Sequence, residues 1–304
     1  MRVTQFEEKG MPCLKITGHG QLDVKKTFDC GQCFRFEPVE GTRHQSEYAG
    51  IAFGRHVSFA SEGEELYIYN STEREFYDIW SRFLALDLDY ADIDRSIASH
   101  CPDGIMREAM ECGRGIRILR QDAFEAVISF IISQNNNIPR IKKIIEALSL
   151  RCGEPVAMNE GAVMHSSGLS SLCAFPSCEA ILSLGESGLS ELKVGFRAKY
   201  INDAVTKLSR GELALSEISA MERTEDCISA LCSVKGIGLK VASCAALFGM
   251  GRYDAFPVDV WMKRVGEKYF GNDPASFSAE RFGEFAGIAQ QYLFYYERYN
   301  SSES

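Results

Sequence analysis

Leu231-Cys-Ser-Val-Lys235-Gly236-Ile237-Gly238-Leu-Lys240-Val-Ala-Ser-Cys244 is a run in which one helix ends, a Gly-Ile-Gly turn reverses the chain and a second helix opens at once. The two glycines permit a tight turn with exposed N–H groups, and the helix beside them adds its own unpaired amides. Such a corner suits an anionic phosphate without using a charged side chain. Taken alone, a Gly-x-Gly between helices is an ordinary helix–helix turn, and Lys240 an ordinary solvated helix lysine. The run is not a dinucleotide fingerprint, because no strand precedes it and the third glycine is missing. Nor does it have the glycine spacing, closed by Lys and Ser or Thr, of a nucleoside-triphosphate loop. Nineteen residues after Lys240 stands Asp259, within Ala255-Phe-Pro257-Val-Asp259-Val-Trp261-Met-Lys263-Arg264. Pro257 and Asp259 read as a helix entry with Asp259 as the N-cap.

Working outward, the chain changes period once. From residue 12 to about 70 the segments Leu14–Thr17, Phe34–Phe36, His56–Phe59 and Leu66–Tyr69 alternate and are broken by glycines, which predicts a small antiparallel sheet. After Thr72 the apolar residues Phe76, Ile79, Trp80, Phe83 and Leu84 fall three and four apart, and the pattern stays helical to the end. Asp122-x-x-Glu125 has capping-box spacing ahead of the apolar stripe Phe124, Val127, Ile128, Ile131 and Ile132. Further helices are expected at 140–150, 177–184, 197–209, 224–233, 239–248, 260–270 and 278–298, an irregular crossing at 155–172, and a frayed tail at 300–304. The fold class is therefore α+β, with an N-terminal antiparallel sheet domain at 1–118 carrying flanking helices. A larger all-α domain fills 119–304 and holds a helix-hairpin-helix at about 224–248.

Composition removes several alternatives. The chain has 304 residues, 45% of them hydrophobic and 25% charged, the profile of an ordinary globular protein. No apolar run is long enough for a membrane span, and the N-terminus lacks the apolar core of a secretory signal. An intracellular protein with no membrane partner is expected, in cytoplasm or nucleoid if prokaryotic and in the nucleus if eukaryotic. Eleven cysteines then read as reduced thiols, and the single CxxC, Cys30-Gly-Gln-Cys33, as a local structural contact rather than half of a zinc site. All five histidines lie in the first 165 residues, and no cysteine follows Cys244, which removes a C-terminal iron–sulfur cluster. No metal site and no cofactor are expected. The formal charge is −9, yet windows 135–151, 193–210 and 231–268 carry net +3, +4 and +3, leaving −19 on the remainder. A basic face on an acidic protein is consistent with that distribution, as are solvated helix faces taken one at a time.

Gly-Ile-Gly-Leu-Lys-Val-Ala followed by Pro-Val-Asp-Val resembles the helix-hairpin-helix DNA glycosylases, and among them the 8-oxoguanine DNA glycosylases. Four further stretches are similar to that family in the same order: Gly31-Gln-Cys-Phe-Arg-Phe36, Asn135-Asn-Asn-Ile-Pro-Arg140, Gly195-Phe-Arg-Ala-Lys-Tyr200 and Ala289-Gln290-x-x-x-Phe294. The resemblance implies a sheet domain like that of the TATA-binding protein, and as partner double-stranded DNA containing 8-oxoguanine opposite cytosine. A monomer is expected. It also implies a bifunctional DNA glycosylase and abasic-site lyase that flips the damaged nucleotide out of the duplex. Lys240 would attack C1′ of the sugar and form a Schiff base, followed by β-elimination, with Asp259 stabilising the charge that builds on the sugar. Gly31 would offer a carbonyl to the N7 hydrogen that 8-oxoguanine has and guanine lacks. Cys244 and Phe294 would sandwich the base, and Gln290 would meet its Watson–Crick edge. Phe196 would wedge into the vacated site, while Asn135, Arg140 and Arg197 contact the orphaned base. Lys235, Gly236, Gly238 and Trp261 would grip phosphates.

An ordinary lysine is protonated at neutral pH and a poor nucleophile. A helix N-terminus and burial both favour the neutral amine, whereas Cys244 on the same helical face offers a thiolate–ammonium pair instead, so the resting state stays open. Trp261 stands where the family often has a histidine on phosphate, and Pro139 and Phe196 are milder departures. Two other readings remain: a helix-hairpin-helix glycosylase for another damaged base, against which Lys240 speaks, and a noncatalytic DNA binder, which needs neither Lys240 nor Asp259.

Overall fold

The computed structural model describes residues 1–157, 172–271 and 277–302. Six antiparallel strands form one sheet: β1 Arg2–Glu8, β2 Met11–Thr17, β3 Phe36–Pro38, β4 Ser46–Ala52, β5 Arg55–Glu62 and β6 Glu65–Tyr69. Their spatial order is β1-β2-β6-β5-β4-β3. Leu14, Ile16, Val57, Phe59, Leu66 and Ile68 are buried in one cluster with Phe28, Trp80 and Phe83. Phe28 comes from the short helix Val24–Asp29, and its ring stacks on Tyr48 and Phe59 at centroid separations of 5.7 and 5.6 Å.

The sheet is larger than the sequence pattern predicted. β1 is an edge strand whose residues are mostly exposed, so it lacks a clean apolar face, and β4 is buried along nearly its whole length, so it shows no alternation. Of the expected strand Phe34–Phe36, only Phe36 joins the sheet. Phe34 leaves it to pack edge-on against Phe130 of the helical domain, at 5.7 Å.

Thr72 and Glu75 form a complete capping box and start the helical part of the chain, with a π-helical turn at Phe76–Trp80. The Asp122 carboxylate accepts from the Glu125 amide at 2.9 Å, and no return bond from the Glu125 side chain is seen among the described residues. The main helices of the body are Ala123–Ser133, Ile138–Cys152, Cys178–Glu191, Ala198–Ser209, Thr224–Leu231, Leu239–Met250, Val260–Val265 and Ala286–Ser302. Several bounds differ from expectation. Cys178–Glu191 continues past a break at Gly185, and Leu215–Ala220 is an unanticipated helix. The expected helix at 260–270 becomes π-helical from Gly266, and 278–298 opens as a 3-10 segment, Ala279–Phe285, before its α-helix. That last helix runs through Ser302, so the tail expected to fray is helical up to there. The crossing expected at 155–172, with His165, lies mostly outside the described residues; at its ends Pro155 and Cys173 pair in an antiparallel bridge.

Sheet and helices meet at residues 116–121, where Ile116, Arg117, Ile118 and Leu119 are all buried. Arg117 is 1% exposed, and its guanidinium donates to the carbonyls of Gln21, Ala85, Leu88 and His19 at 2.8, 2.9, 3.1 and 3.2 Å. It also lies 4.2 Å from the centroid of the Tyr90 ring. A buried cation is tolerated when its donors are satisfied, and here four separate carbonyls satisfy them. Replacing it with methionine keeps the stem and strands those carbonyls. Arg117→Met is expected to cost about 3 kcal/mol or more in urea unfolding. A midpoint within error of the parent would show that the junction does not depend on this cation.

Candidate active site

The hairpin is built as the sequence predicted. Thr224–Leu231 ends, Val234 and Ile237 turn inward at 1% and 5% exposure, and Leu239–Met250 begins. Gly236 has φ +82°, and a Cβ placed there would stand 2.4 Å from the Tyr200 ring. Only glycine fits that corner. The Lys235 amide donates to Asp203 at 2.8 Å, so the helix Ala198–Ser209 supports the turn through both Tyr200 and Asp203. Lys235 itself is exposed. Gly238 has open space around it and caps Leu239–Met250 without a side chain, so the helix's first amides receive no side-chain cap among the described residues.

Lys240, in the first turn of that helix, is half-buried, with Nζ 5.8 Å from the centroid of the Phe130 ring. Phe130 is held between Phe34 and Phe248, the latter stacked at 5.4 Å. Cys244, one turn on, is 4% exposed. Burial pushes its thiol up, against the pull of the Lys240 ammonium and its hydrogen bond, and the Asp259 charge adds to the rise. Of the two resting states left open, these surroundings favour a thiol over a thiolate at Cys244. Asp259 is the N-cap of Val260–Val265, accepting from the Met262 amide at 2.9 Å through Oδ1. Trp261, half-buried on this helix, has the Arg264 guanidinium 5.1 Å over its ring.

Across from the lysine lies the Cys30–Cys33 loop. Gly31 has φ +80°, and a Cβ there would come within 3.4 Å of Ile138, 3.8 Å of Arg298 and 3.9 Å of Phe294. Phe294 on the C-terminal helix thus stands beside Gly31. Gln290 is 5% exposed, and its Oε1 is buried without a hydrogen-bond partner. An unpaired buried acceptor is costly and is commonly matched by a ligand donor. Cys30 and Cys33 serve the loop as structural thiols: Cys30 Sγ donates to the Thr27 carbonyl at 3.1 Å, and burial pushes its pKa up to about 12. Burial raises Cys33 as well. Among the described residues no three His, Cys, Asp or Glu side chains gather as a metal site. Sequence reasoning missed Gln32 and Gln291, both buried and bonded to this loop, because their partners are remote in the chain.

The strand-opening residues divide into two groups. Asn135 is exposed at φ +46°, a left-handed conformation that asparagine adopts more readily than most residues. Arg140 is also exposed. Phe196 is 47% exposed on the 3-10 turn Gly195–Arg197, so it is not a core aromatic. Arg197 is less open than these three. It is 4% exposed and donates to the carbonyls of Gln134, Val194 and Asn135, at 2.8, 3.1 and 3.0 Å, so it props the Asn135 loop from beneath. Its guanidinium carbon sits 4.5 Å from the centroid of the Phe196 ring, so the same group also backs the wedge. Pro139, a departure in the motif, fits the first turn of Ile138–Cys152, where its missing N–H loses no bond.

Comparisons with known proteins identify the family and the fold. Residues 16–127 match the N-terminal domain of 8-oxoguanine DNA glycosylases, and residues 128–283 match the HhH-GPD superfamily of base excision DNA repair proteins. The N-glycosylase/DNA lyase OGG1 of Arabidopsis thaliana is 27% identical over 313 residues, covering 92% of this chain and 78% of that protein. The Clostridium acetobutylicum 8-oxoguanine glycosylase/lyase, solved with double-stranded DNA containing cytosine opposite 8-oxoguanine, superposes with a TM-score of 0.88 at 35% identity over 99% of both chains. A 3-methyladenine DNA glycosylase from Archaeoglobus fulgidus shares the fold, with a TM-score of 0.72 at 23% identity over 94% of this chain and 99% of that one. No described helix is long and apolar enough to cross a membrane. This chain belongs to the HhH-GPD superfamily of base excision DNA repair proteins, in its 8-oxoguanine DNA glycosylase branch.

Proposed function

We propose that the chain is a monomeric, bifunctional glycosylase and lyase acting on 8-oxoguanine opposite cytosine, with Lys240 as nucleophile. The observation that carries the assignment of Lys240 is its position in the first turn of the hairpin helix, whose N-cap is a glycine without a side chain, with Cys244 one turn on feeling both the Lys240 and the Asp259 charge. The Nζ lone pair attacks C1′, the C1′–N9 bond breaks, and the base leaves with that electron pair and takes up a proton. Loss of the amine protons and opening of the sugar ring give a Schiff base, from which β-elimination breaks the C3′–O bond. Asp259 stabilises positive charge on the sugar through its carboxylate. Gly31, Cys244, Gln290 and Phe294 hold the flipped base. Asn135 and Arg140 meet the cytosine left behind, Phe196 fills the gap, and Arg197 keeps these groups in place. Gly236, Gly238, Lys235 and Trp261 face the phosphates.

Borohydride trapping on a duplex with one 8-oxoguanine opposite cytosine tests the chemistry. The native chain is expected to give a covalent complex that Lys240→Gln does not form. Base release by the native chain without any trapped adduct would move the mechanism to a monofunctional one driven by Asp259. The hairpin is tested separately by fluorescence anisotropy at one fixed salt concentration. Gly238→Ala meets no neighbour in the protein, so it is expected to keep the melting temperature and weaken DNA binding about tenfold, as a methyl group displaces the phosphate. Gly236→Ala, which strikes Tyr200, is expected to lower both. Unchanged affinity in Gly238→Ala would remove the hairpin from the DNA interface.

A further inference from the structure

We infer that Gln291 sets the lesion specificity of this site without touching the lesion, as a positioning residue that aims the Gly31 carbonyl. The inference rests on the reading of Gly31 proposed above. Gln291 is 3% exposed, and its Nε2 donates to the Cys30 carbonyl at 2.8 Å. On the other side of Gly31, the Gln121 Nε2 donates to the Gln32 carbonyl at 2.7 Å. The Gln32 side chain, fully buried, anchors the same loop by donating to the carbonyls of Thr27 and Arg117 and accepting from the Leu119 amide, each at 2.8 Å. The Cys30–Gly31 and Gln32–Cys33 peptide planes, which flank the Gly31–Gln32 peptide, are thus pinned from the helical domain, and the Gly31 carbonyl between them accepts no hydrogen bond among the described residues.

Glycine alone would not hold that carbonyl in one direction, because its backbone rotates with little steric resistance. Pinning the planes before and after it fixes the direction. Gln291 adjoins Gln290 on the helix Ala286–Ser302, and consecutive helical residues point about 100° apart. One rigid helix therefore carries the expected contact to the Watson–Crick edge and the clamp for the carbonyl expected at N7. Their separation is fixed, so the pair measures one base.

The test compares single-turnover excision of 8-oxoguanine opposite cytosine with incision of a duplex carrying a ready-made abasic site, which needs no base contact. Gln291→Leu removes the donor at similar volume, and Gln121→Leu does the same on the other side. Each is expected to lower excision about tenfold or more relative to abasic incision, while the stability lost by stranding one carbonyl lowers both activities alike and leaves that ratio alone. An unchanged ratio, or excision and incision falling together, would overturn the assignment. The underlying reading is checked on the native chain with 7-methyl-8-oxoguanine, which has no N7 hydrogen. If the native chain excises it as fast as 8-oxoguanine, the Gly31 reading fails and the inference with it. If the native chain refuses it while Gln291→Leu keeps the parent ratio, only the clamp fails.

Discussion

A single buried cation holds the two halves of the molecule in register. Arg117 collects carbonyls from the turn after β2, at His19 and Gln21, and from the chain after the Trp80 helix, at Ala85 and Leu88. Its own carbonyl is taken by Gln32, and its neighbours Arg120 and Gln121 bond through their amides to the carbonyls of Phe83 and Phe248. Phe248 lies on the hairpin helix that carries Lys240. The segment from Arg117 to Gln121 thus links sheet, recognition loop and catalytic helix by bonds of about 3 Å, each costly to leave unmade in a dry interior. The proposed placement of a sugar carbon at the lysine and a base edge at Gly31 requires that register, since a misplacement of an ångström at a reacting centre costs orders of magnitude in rate.

Packing carries the same register by a second route. Phe34 departs from the sheet to lie against Phe130, Phe130 stacks on Phe248, and Lys240 extends over Phe130. The recognition loop and the lysine therefore rest on one aromatic column, and the loop cannot move toward the helix without disturbing the ring beneath the amine. On the far side, Tyr200 fills the corner made by Gly236, while Phe196 in the preceding turn is exposed. Hairpin and wedge are two ends of one support, which suits a protein that must grip a strand and open it at the same time.

What was legible in the sequence was local. Lys240, Gly236 and Gly238 stand in one run, and Asp259 announces itself as a cap because a carboxylate ahead of a helix has few other uses. The strand pattern failed where alternation was absent, in exposed β1 and in buried β4, and it overextended at Phe34, whose apolar partner lies in another domain. The setting of Arg197 was hidden for the same reason. Besides the nearby Val194 carbonyl, its acceptors are carbonyls of a loop some sixty residues earlier, and nothing in its own neighbourhood signals them. Gln32 and Gln291 were invisible in the same way: a glutamine has no periodicity to betray it, and the partner of Gln291 is 261 positions away.

On the proposed reading of Gly31, discrimination between guanine and its oxidised form accounts for the buried polar structure around one glycine. The two bases differ at N7 by a hydrogen, so one correctly aimed carbonyl yields only about 1–3 kcal/mol, and a carbonyl free to turn aside yields less. Adding acceptors would not help, because guanine could satisfy some of them equally well. Discrimination must come instead from denying the carbonyl any other orientation. Gln32, Gln121 and Gln291 act on its neighbours and Arg117 on the segment that anchors them, and of these four only Gln121 is part-exposed. Specificity here is a property of the scaffold behind the contact, and the contact itself needs no side chain at all.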